Sequence, residues 1–545
     1  MDYNKLANLL FPDVTETVED LEKKFPKREL PEGANITRIG PSPTGFVHLG
    51  NLYNAIIGER LAHQSNGTFY LRIEDTDNKR EVEGAVNTII TSMDYFGIHF
   101  DEGATADGDN GAYGPYRQRQ RKDIYHVVAK KLVEMGFAYP CFCSEDELNT
   151  MREKQIADKV DYGYYGEWAK CRNLDFETVK SRIEAGEPYV LRFRSQGDSK
   201  NYINVFDGIR GDLRVQENYQ DFVLLKSDGI PTYHFAHAVD DHLMQTTHVV
   251  RGEEWLATLP IHAQLFDTLG FKRPVYCHTA TLMKMDGESK RKLSKRHDPE
   301  LALAYYREEG YIPKAVWEYL LTVLNSNFEE WRIANPDAPI SEFQFTLKKM
   351  SSSGALFDLA KFNDISKDVL SKLPADEIYE GLTEWAKEYD EEFYNLLTKD
   401  KEYTLKALSV GRGIPKPRKD LVSFKQAKDF LSFYYNETFK VEDEYPERVD
   451  AETRKILIEK YVETLDFNDD QETWFGKMRD IGESLGYAGK PKDFKKNPEA
   501  YKGSIVDISG VLRVAITGRQ NAPDLWEVSQ ILGKETVLNR LNNMK

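Results

Sequence analysis

The sequence predicts an α/β chain in which a doubly wound nucleotide-binding domain is interrupted by an α+β insertion and followed by an all-α C-terminal half. Three observations predict it. A strand, a Pro/Gly turn and a helix follow one another within residues 36–61. Strand and helix alternate again as far as Phe96. Beyond about residue 300 the apolar spacing is that of helices. A chain of 545 residues is too long for one core, and roughly three to five domains is the expectation.

Residues 1 to about 34 precede the first strand and end in the turn signal Pro31-Glu-Gly33. Within them Leu6, Leu9, Leu10 and Phe11 are spaced for a short helix packed on the body. The strand Ile36–Ile39 runs into Pro41–Gly45, where two prolines fix φ and Gly45 lets the backbone approach a ligand. The helix that follows, through Leu52, Ile56 and Leu61, points unpaired N–H groups and a positive dipole end outward, which suits phosphate. Thr68–Ile73 reads as a second strand, with Glu74 and Asp77 at its carboxyl end, and Val82–Phe96 as a helix. Ligands of doubly wound sheets lie beyond the carboxyl ends of the strands, where Glu74 would meet the Pro41–Gly45 turn.

From about Tyr116 to Leu225 the character changes to two helical runs, a cysteine pair and β-rich sequence such as Tyr189–Arg194, which fits an insertion. The sheet is expected to resume at Thr232–Val239 and at Thr247–Val250. Then Leu301, Leu303 and Tyr306, followed by Val316, Tyr319, Leu320 and Val323, set a helical rhythm. From about residue 375 the chain stays helical, and Gly413-Ile-Pro-Lys-Pro-Arg418 is a rigid basic break between two helices.

Composition is that of a globular protein, 40% hydrophobic and 30% charged. The acidic start shows no secretory pattern, and no apolar run approaches the roughly 20 residues that span a bilayer, so no membrane partner is expected. Four cysteines in so long a chain argue for a reducing compartment and the cytoplasm. A net charge of −17 speaks against nucleic acid at first sight, but binding depends on where the cations cluster. Basic patches stand at Lys284–His297 and Arg412–Lys419, although a charge run alone is more often a solvated face. Within the first patch, Lys292-Leu-Ser-Lys295-Arg296 supplies cations of the kind that stabilise a polyphosphate leaving group. Together with the strand–turn–helix it points to nucleotidyl transfer.

Arg38-Ile-Gly-Pro-Ser-Pro-Thr-Gly45-Phe-Val-His48-Leu-Gly-Asn51 resembles the HIGH signature of class I aminoacyl-tRNA synthetases, with Asn51 in place of the final His. Lys292–Arg296 resembles their KMSKS loop. Between them Arg72-Ile-Glu-Asp-Thr-Asp77, Gly114-Pro-Tyr-Arg-Gln118, Pro231-Thr-Tyr-His234, Asp240-Asp-His242 and Arg251-Gly-Glu-Glu-Trp255 follow in the order of the glutamyl-tRNA synthetases. The likeness covers roughly residues 35–545, and the ordered set is far more specific than any one motif.

The resemblance implies a Rossmann-type class I catalytic domain and the bacterial, helical form of the anticodon-binding half. It implies an N-terminal extension (1–34), a first catalytic half (35–115), an acceptor-binding insertion (116–228), a second catalytic half (229–273), a stem-contact domain with the lysine loop (274–374) and a helical anticodon-binding region of two subdomains (375–545). The implied reaction joins L-glutamate to tRNA(Glu) through a glutamyl-adenylate, with ATP as substrate and Mg2+ bridging its phosphates. A monomer is the family's default.

Residue by residue, His48 and Lys295 are the implied catalytic groups, with Ser42, Thr44, Gly45, Gly50, Trp255, Lys292 and Ser294 beside ATP. Arg38, Glu74, Tyr233 and Arg251 would hold glutamate, the guanidiniums meeting its side-chain carboxylate and Glu74 its ammonium. Taken singly, each has a plainer reading: a helix-start His satisfied by its own turn, an Arg in a strand-end ion pair, a basic surface loop. His237 stands where many relatives carry Asn. Cys141, Cys143 and Cys171 match the zinc-binding insertion of many glutamyl enzymes, but Asn173 stands where a His or Tyr ligand follows. Tyr165, Asp161 or water would complete such a site; otherwise these are buried thiols. Arg418 aligns with an Arg that checks the last anticodon base in enzymes restricted to glutamate tRNA. A glutaminyl enzyme is the near rival, disfavoured because an amide substrate has no use for the Arg251 cation. A catalytically dead RNA-binding paralogue would be expected to lose the His48 turn or the Lys295 loop.

Overall fold

Side-chain caps start the first two helices, α1 (Tyr3–Leu10) and α2 (Val18–Lys24). Asp2 accepts the Lys5 N–H at 3.1 Å, and Thr17 and Asp20 cap each other's backbone. In the computed structural model, which describes residues 1–77 and 82–544, α1 buries Leu6, Ala7 and Leu10, as its amphipathic spacing implies. The chain divides into two units, Met1–Tyr305 with Trp317–Asp358, and Tyr306–Val316 with Leu359–Lys545.

The first unit carries the β-sheets. β1 (Ile36–Ile39), β2 (Thr68–Leu71) and β3 (Glu102–Ala104) are parallel neighbours, with α3 (Leu49–His63) and α4 (Ala85–Tyr95) between them in sequence and β4 (Asp109–Asn110) antiparallel at the edge. Every residue of β1 and β2 is buried, the pattern of a parallel sheet covered on both faces. α3 packs against β1 and β2 closely enough that a Cβ on Gly58 would lie 2.9 Å from the Phe69 ring.

The intervening region contributes α5 (Lys122–Glu134), β5 (Ala138–Cys141), α6 (Glu145–Ala157), α7 (Phe176–Glu184), β6 (Val190–Phe193), β7 (Tyr202–Asp207), β8 (Gly211–Gln216) and β9 (Val223–Leu225). β5, β6 and β9 form their own antiparallel sheet. The β7–β8 hairpin instead extends a sheet of order β10-β11-β7-β8, where β10 is His248–Gly252 and β11 is Val275–Thr279. Thr247 joins this sheet to the first: its N–H donates to the Ile36 carbonyl at 2.9 Å, and its hydroxyl accepts the Ile36 N–H at 2.8 Å.

One expected element is corrected. Thr232–Val239 was expected to be sheet, but Tyr233–Leu243 is a helix, α8, capped by Thr232 in extended conformation. Phe235, Ala236, His237, Ala238, Val239, Asp240, Asp241 and Leu243 are buried, so the helix is covered on most of its surface. Tyr233, Phe235 and Val239 favour a strand locally, and burial of the segment on most sides in the tertiary structure overrides that preference. The correction matters for chemistry, because it puts Asp240 and Asp241 on consecutive helical positions facing different partners.

After α9 (Leu259–Leu269), β12 (Leu282–Asp286) and β13 (Ser289–Lys292) form a hairpin whose second strand leads into the lysine loop. The second unit is helical around a core that includes Leu370, Leu382, Leu457, Leu512 and Val528. Its Pro415–Arg418 break lies between the helices Lys401–Ser409 and Phe424–Leu431, as expected. Among the described residues no helix is long and apolar enough to cross a membrane.

Candidate functional site

The β1–α3 turn shapes one wall of a cavity of about 480 Å³. Gly45 takes φ +74° there, a conformation that costs a glycine least. The Ser42 carbonyl accepts the Thr44 N–H at 2.8 Å, and the Pro41 carbonyl accepts the Glu74 N–H at 3.0 Å, so the turn and the end of β2 are tied together. Arg38, Ser42, Thr44, Gly45, His48, Glu74, Tyr233, Arg251 and Trp255 all line this one cavity. Gly50 does not; a Cβ there would sit 2.9 Å from the His48 Nδ1, so it makes room for the imidazole. Burial lowers the His48 pKa, against the pull of Glu254, leaving a neutral ring at the helix start. Asn51, where the signature has its last His, accepts the His48 N–H at 3.0 Å and so caps α3.

The two expected glutamate arginines differ in their surroundings. Arg38 is neutralised within the fold: Asp241 accepts from its Nη2 at 3.0 Å and from its Nε at 3.3 Å. The same carboxylate accepts from Arg72 Nη1 at 2.6 Å and lies 2.5 Å from His237 Nδ1. Burial alone would raise the Asp241 pKa, but Arg38 and Arg72 outweigh it and hold it well below the carboxylate range. Arg72 also donates to Glu74 at 3.0 Å, and burial raises the Glu74 pKa despite the two guanidiniums. Asp240, one position earlier, takes Arg121 Nε at 2.7 Å, Tyr125 OH at 2.8 Å and, from the Gly114–Gln118 motif, Gln118 at 3.0 Å.

Arg251 is equally buried, at 4% exposure, yet no carboxylate pairs with it among the described residues. Its Nε donates to His278 Nε2 at 2.9 Å, its Nη1 to His262 Nδ1 at 3.0 Å, and Tyr233 OH lies 3.4 Å from Nη1. The Tyr276 ring lies 4.6 Å beneath it, and Nη2 has no hydrogen-bond partner among the described residues. A buried cation with neutral partners and a spare donor group, at the wall of a cavity, has the chemistry to receive an anion. Trp255 closes this side, its ring 4.4 Å from Tyr233.

Lys292, Ser294 and Lys295 are not in the cavity wall. The chain after them is bound to the turn by a bridge between His48 and Ala302, and by the Leu303 N–H to the Val47 carbonyl at 3.1 Å. Buried Asp298 braces the loop, accepting the Ser294 N–H at 2.8 Å and both Nη groups of Arg291, at 2.5 and 2.8 Å. Lys295 Nζ lies 4.0 Å over the ring of Phe46, itself a cavity residue, and has no carboxylate partner among the described residues. Its ammonium therefore rests at the lip of the cavity.

Two other expectations lie outside the cavity. The sulfurs of Cys141, Cys143 and Cys171 fall within 4.8 Å of one another, a donor set that suits zinc. The oxygen that faces them belongs to Tyr164, 3.3 Å from both Cys141 and Cys143, rather than to Tyr165 or Asp161. Tyr165 turns away to donate to the Asp161 carbonyl at 2.5 Å, and the Asp161 carboxylate takes Tyr219 OH at 2.6 Å. Arg418 forks onto Asp420 at 2.7 and 2.9 Å. Sequence reasoning missed Asp207, His262 and His278, since nothing local marks a residue that acts by orienting an arginine far along the chain.

Residues 35–364 match the family described as tRNA synthetases class I (E and Q), catalytic domain, and residues 499–545 match an anticodon binding domain. A glutamate–tRNA ligase of Acetivibrio thermocellus is 58% identical over 545 residues, covering 100% of both chains. One from Clostridium perfringens is 50% identical over 546 residues, covering 99% of this chain and 100% of that protein. A solved glutamate tRNA ligase from Elizabethkingia meningosepticum, in complex with its amino acid, has a TM-score of 0.76 at 27% identity and covers 94% of this chain and 99% of its own. With the strand–turn–helix and the arginine pocket lining one cavity, and Lys295 over its Phe46, the chain belongs to the class I tRNA synthetases of the E and Q group.

Proposed function

We propose that the chain is a glutamate–tRNA ligase in which the cavity between the β1–α3 turn and Arg251 holds ATP and L-glutamate side by side. The observation that carries the choice of glutamate is Arg251, a buried guanidinium met only by neutral acceptors. A side-chain carboxylate would complete it, whereas an amide would leave the cation uncompensated, at a cost of about 3–5 kcal/mol if the site is dry. Glu74 faces the substrate ammonium in this reading, and Tyr233 adds a hydroxyl to the carboxylate.

Catalysis then rests on positioning and charge. The α-carboxylate of glutamate attacks the α-phosphorus of ATP, forming the acyl–phosphate bond as the bond to pyrophosphate breaks. A ribose hydroxyl of the terminal tRNA adenosine next attacks the acyl carbon and releases AMP. Ser42, Thr44 and the N–H groups of the turn cradle the phosphates, and neutral His48 donates to them. Lys295 leaves the Phe46 ring to meet the negative charge developing on pyrophosphate, with Lys292 and Ser294 on the same loop. Mg2+ bound with ATP would neutralise phosphate oxygens, and we assign it no protein ligand. ATP–pyrophosphate exchange with glutamate, run with tRNA present, tests this directly. Lys295→Ala is expected to lower the rate by about 10²–10³ with little change in glutamate KM. An unchanged rate would remove the loop from the mechanism.

Zinc would be held by Cys141, Cys143 and Cys171, with the Tyr164 phenol beside them, and would hold the insertion together rather than take part in the reaction. The purified chain is then expected to carry one zinc, and Cys171→Ser to lose it and melt earlier; equal metal content in both would refute the site. Arg418 would exchange Asp420 for an anticodon base edge. Arg418→Gln should relax discrimination against glutamine tRNA in charging assays, and unchanged discrimination would discard that role.

A further inference from the structure

Arg251 needs two things to read a substrate carboxylate: a fixed plane and an uncancelled charge. Both come from the histidines around it. Asp207, fully buried at the end of β7, accepts the Ile209 and Arg210 N–H groups on one oxygen, each at 2.9 Å. On the other it accepts the His278 N–H at 3.1 Å and Nδ1–H at 2.6 Å. The Nδ1 proton is thereby committed, and the lone pair of Nε2 faces Arg251 Nε at 2.9 Å. On the other side, an arginine can only donate, so His262 Nδ1 is the acceptor at 3.0 Å and its proton lies on Nε2, 3.0 Å from His234 Nδ1. Both imidazoles are fully buried. Burial lowers the pKa of both, that of His262 furthest, with Arg251 acting in the same direction, so both stay neutral.

The contrast with Arg38 shows what this arrangement does. A carboxylate would orient an arginine more tightly, as Asp241 orients Arg38, but would also cancel its charge. Around Arg251 the carboxylate behind His278, that of Asp207, is held off by the width of an imidazole.

We propose that His262 and His278 are specificity-determining positioning residues: as neutral acceptors they fix the Arg251 plane while leaving its full charge for the substrate side chain. Asp207 and His234 act through them, each by fixing one tautomer. The proposal rests on the reading of Arg251 as the glutamate receptor and adds that selectivity depends on the neutrality of what holds it.

Isosteric pairs separate charge from shape. Asparagine places an acceptor where His262 Nδ1 lies, and aspartate places the same atoms with a negative charge. Charging of tRNA by the full chain is measured with glutamate and with glutamine for wild type, His262→Asn and His262→Asp, with melting curves for each. The proposal expects His262→Asn to retain most of the glutamate-over-glutamine ratio in kcat/KM. His262→Asp is expected to raise glutamate KM and shrink that ratio, each about tenfold, with kcat moving less. Equal ratios in the Asn and Asp variants would overturn it. If His262→Asp does not fold, His262→Leu replaces it: the acceptor is gone, and the ratio must fall below that of His262→Asn, equality again being fatal. His278→Gln against His278→Glu repeats the comparison at Nε2. A wild type that charges no glutamate would instead defeat the ligase reading itself.

Discussion

Arg251→Gln is expected to raise the glutamate KM by on the order of a hundredfold, the effect of about 2–3 kcal/mol when a charged hydrogen-bond donor to a carboxylate is lost. The glutamine side chain still offers a donor, so the pocket keeps a polar wall but loses its cation. Glutamine should lose far less than glutamate, because its amide never gained from the charge. The change therefore appears in the ratio of kcat/KM for the two amino acids as well as in the KM for one. Steady-state charging with each amino acid, at saturating ATP and tRNA, reads both numbers. A fall in kcat with KM unchanged would place Arg251 in the reaction step rather than in recognition, and the assignment of the pocket would have to be redrawn.

Asp241→Asn is expected to be the most destabilising single change near the site, by about 3–5 kcal/mol, because it strands Arg38 and Arg72 as buried cations. The carboxylate also accepts from Thr246 at 3.1 Å and Tyr70 at 3.4 Å, and His237, which also faces Tyr276 OH at 3.0 Å, loses its acceptor as well. Since the chain has two units, the readout is the thermal transition of the catalytic unit or its protease resistance, not a single global midpoint. The pH dependence follows from the signs. Asp241 has a lowered pKa in the fold, so its stabilisation is present above its ordinary value of 3.8 and is lost only as pH falls through the folded value. His237 is lowered by burial from 6.5 to about 4, so acidification across that window protonates the unfolded chain first and erodes stability. Wild type should therefore weaken progressively from pH 6.5 towards 4, starting from a higher plateau than Asp241→Asn. Equal melting of the two proteins at neutral pH would mean that the two arginines find other partners.

Much of the site was readable along the chain because its signals are local. Two prolines and a glycine before an apolar helix specify the strand–turn–helix at 36–61 within a few residues of each other. The order of the short motifs then carried the family, and nine of the expected contact residues line one cavity. The expectation at Thr232–Val239 failed where propensity and tertiary burial disagree: aromatic and β-branched residues favour a strand, and the segment is instead a helix buried on most sides. Tyr164 displaced Tyr165 beside the cysteines for a related reason, since adjacent side chains point in different directions and spacing alone does not say which one faces the sulfurs.

Local chemistry along the chain was thus enough to expect a phosphate-binding turn, a loop lysine and an acid-seeking arginine together. Folding decided how each charge is spent. Arg38 and Arg251 look alike in sequence, and both are buried beside one cavity, yet Asp241 cancels the first while two imidazoles leave the second intact. Coulomb interactions fall off over a few ångströms and depend on burial, so which guanidinium keeps its charge is settled only when residues 27, 11 and 203 positions away in the chain are brought into contact.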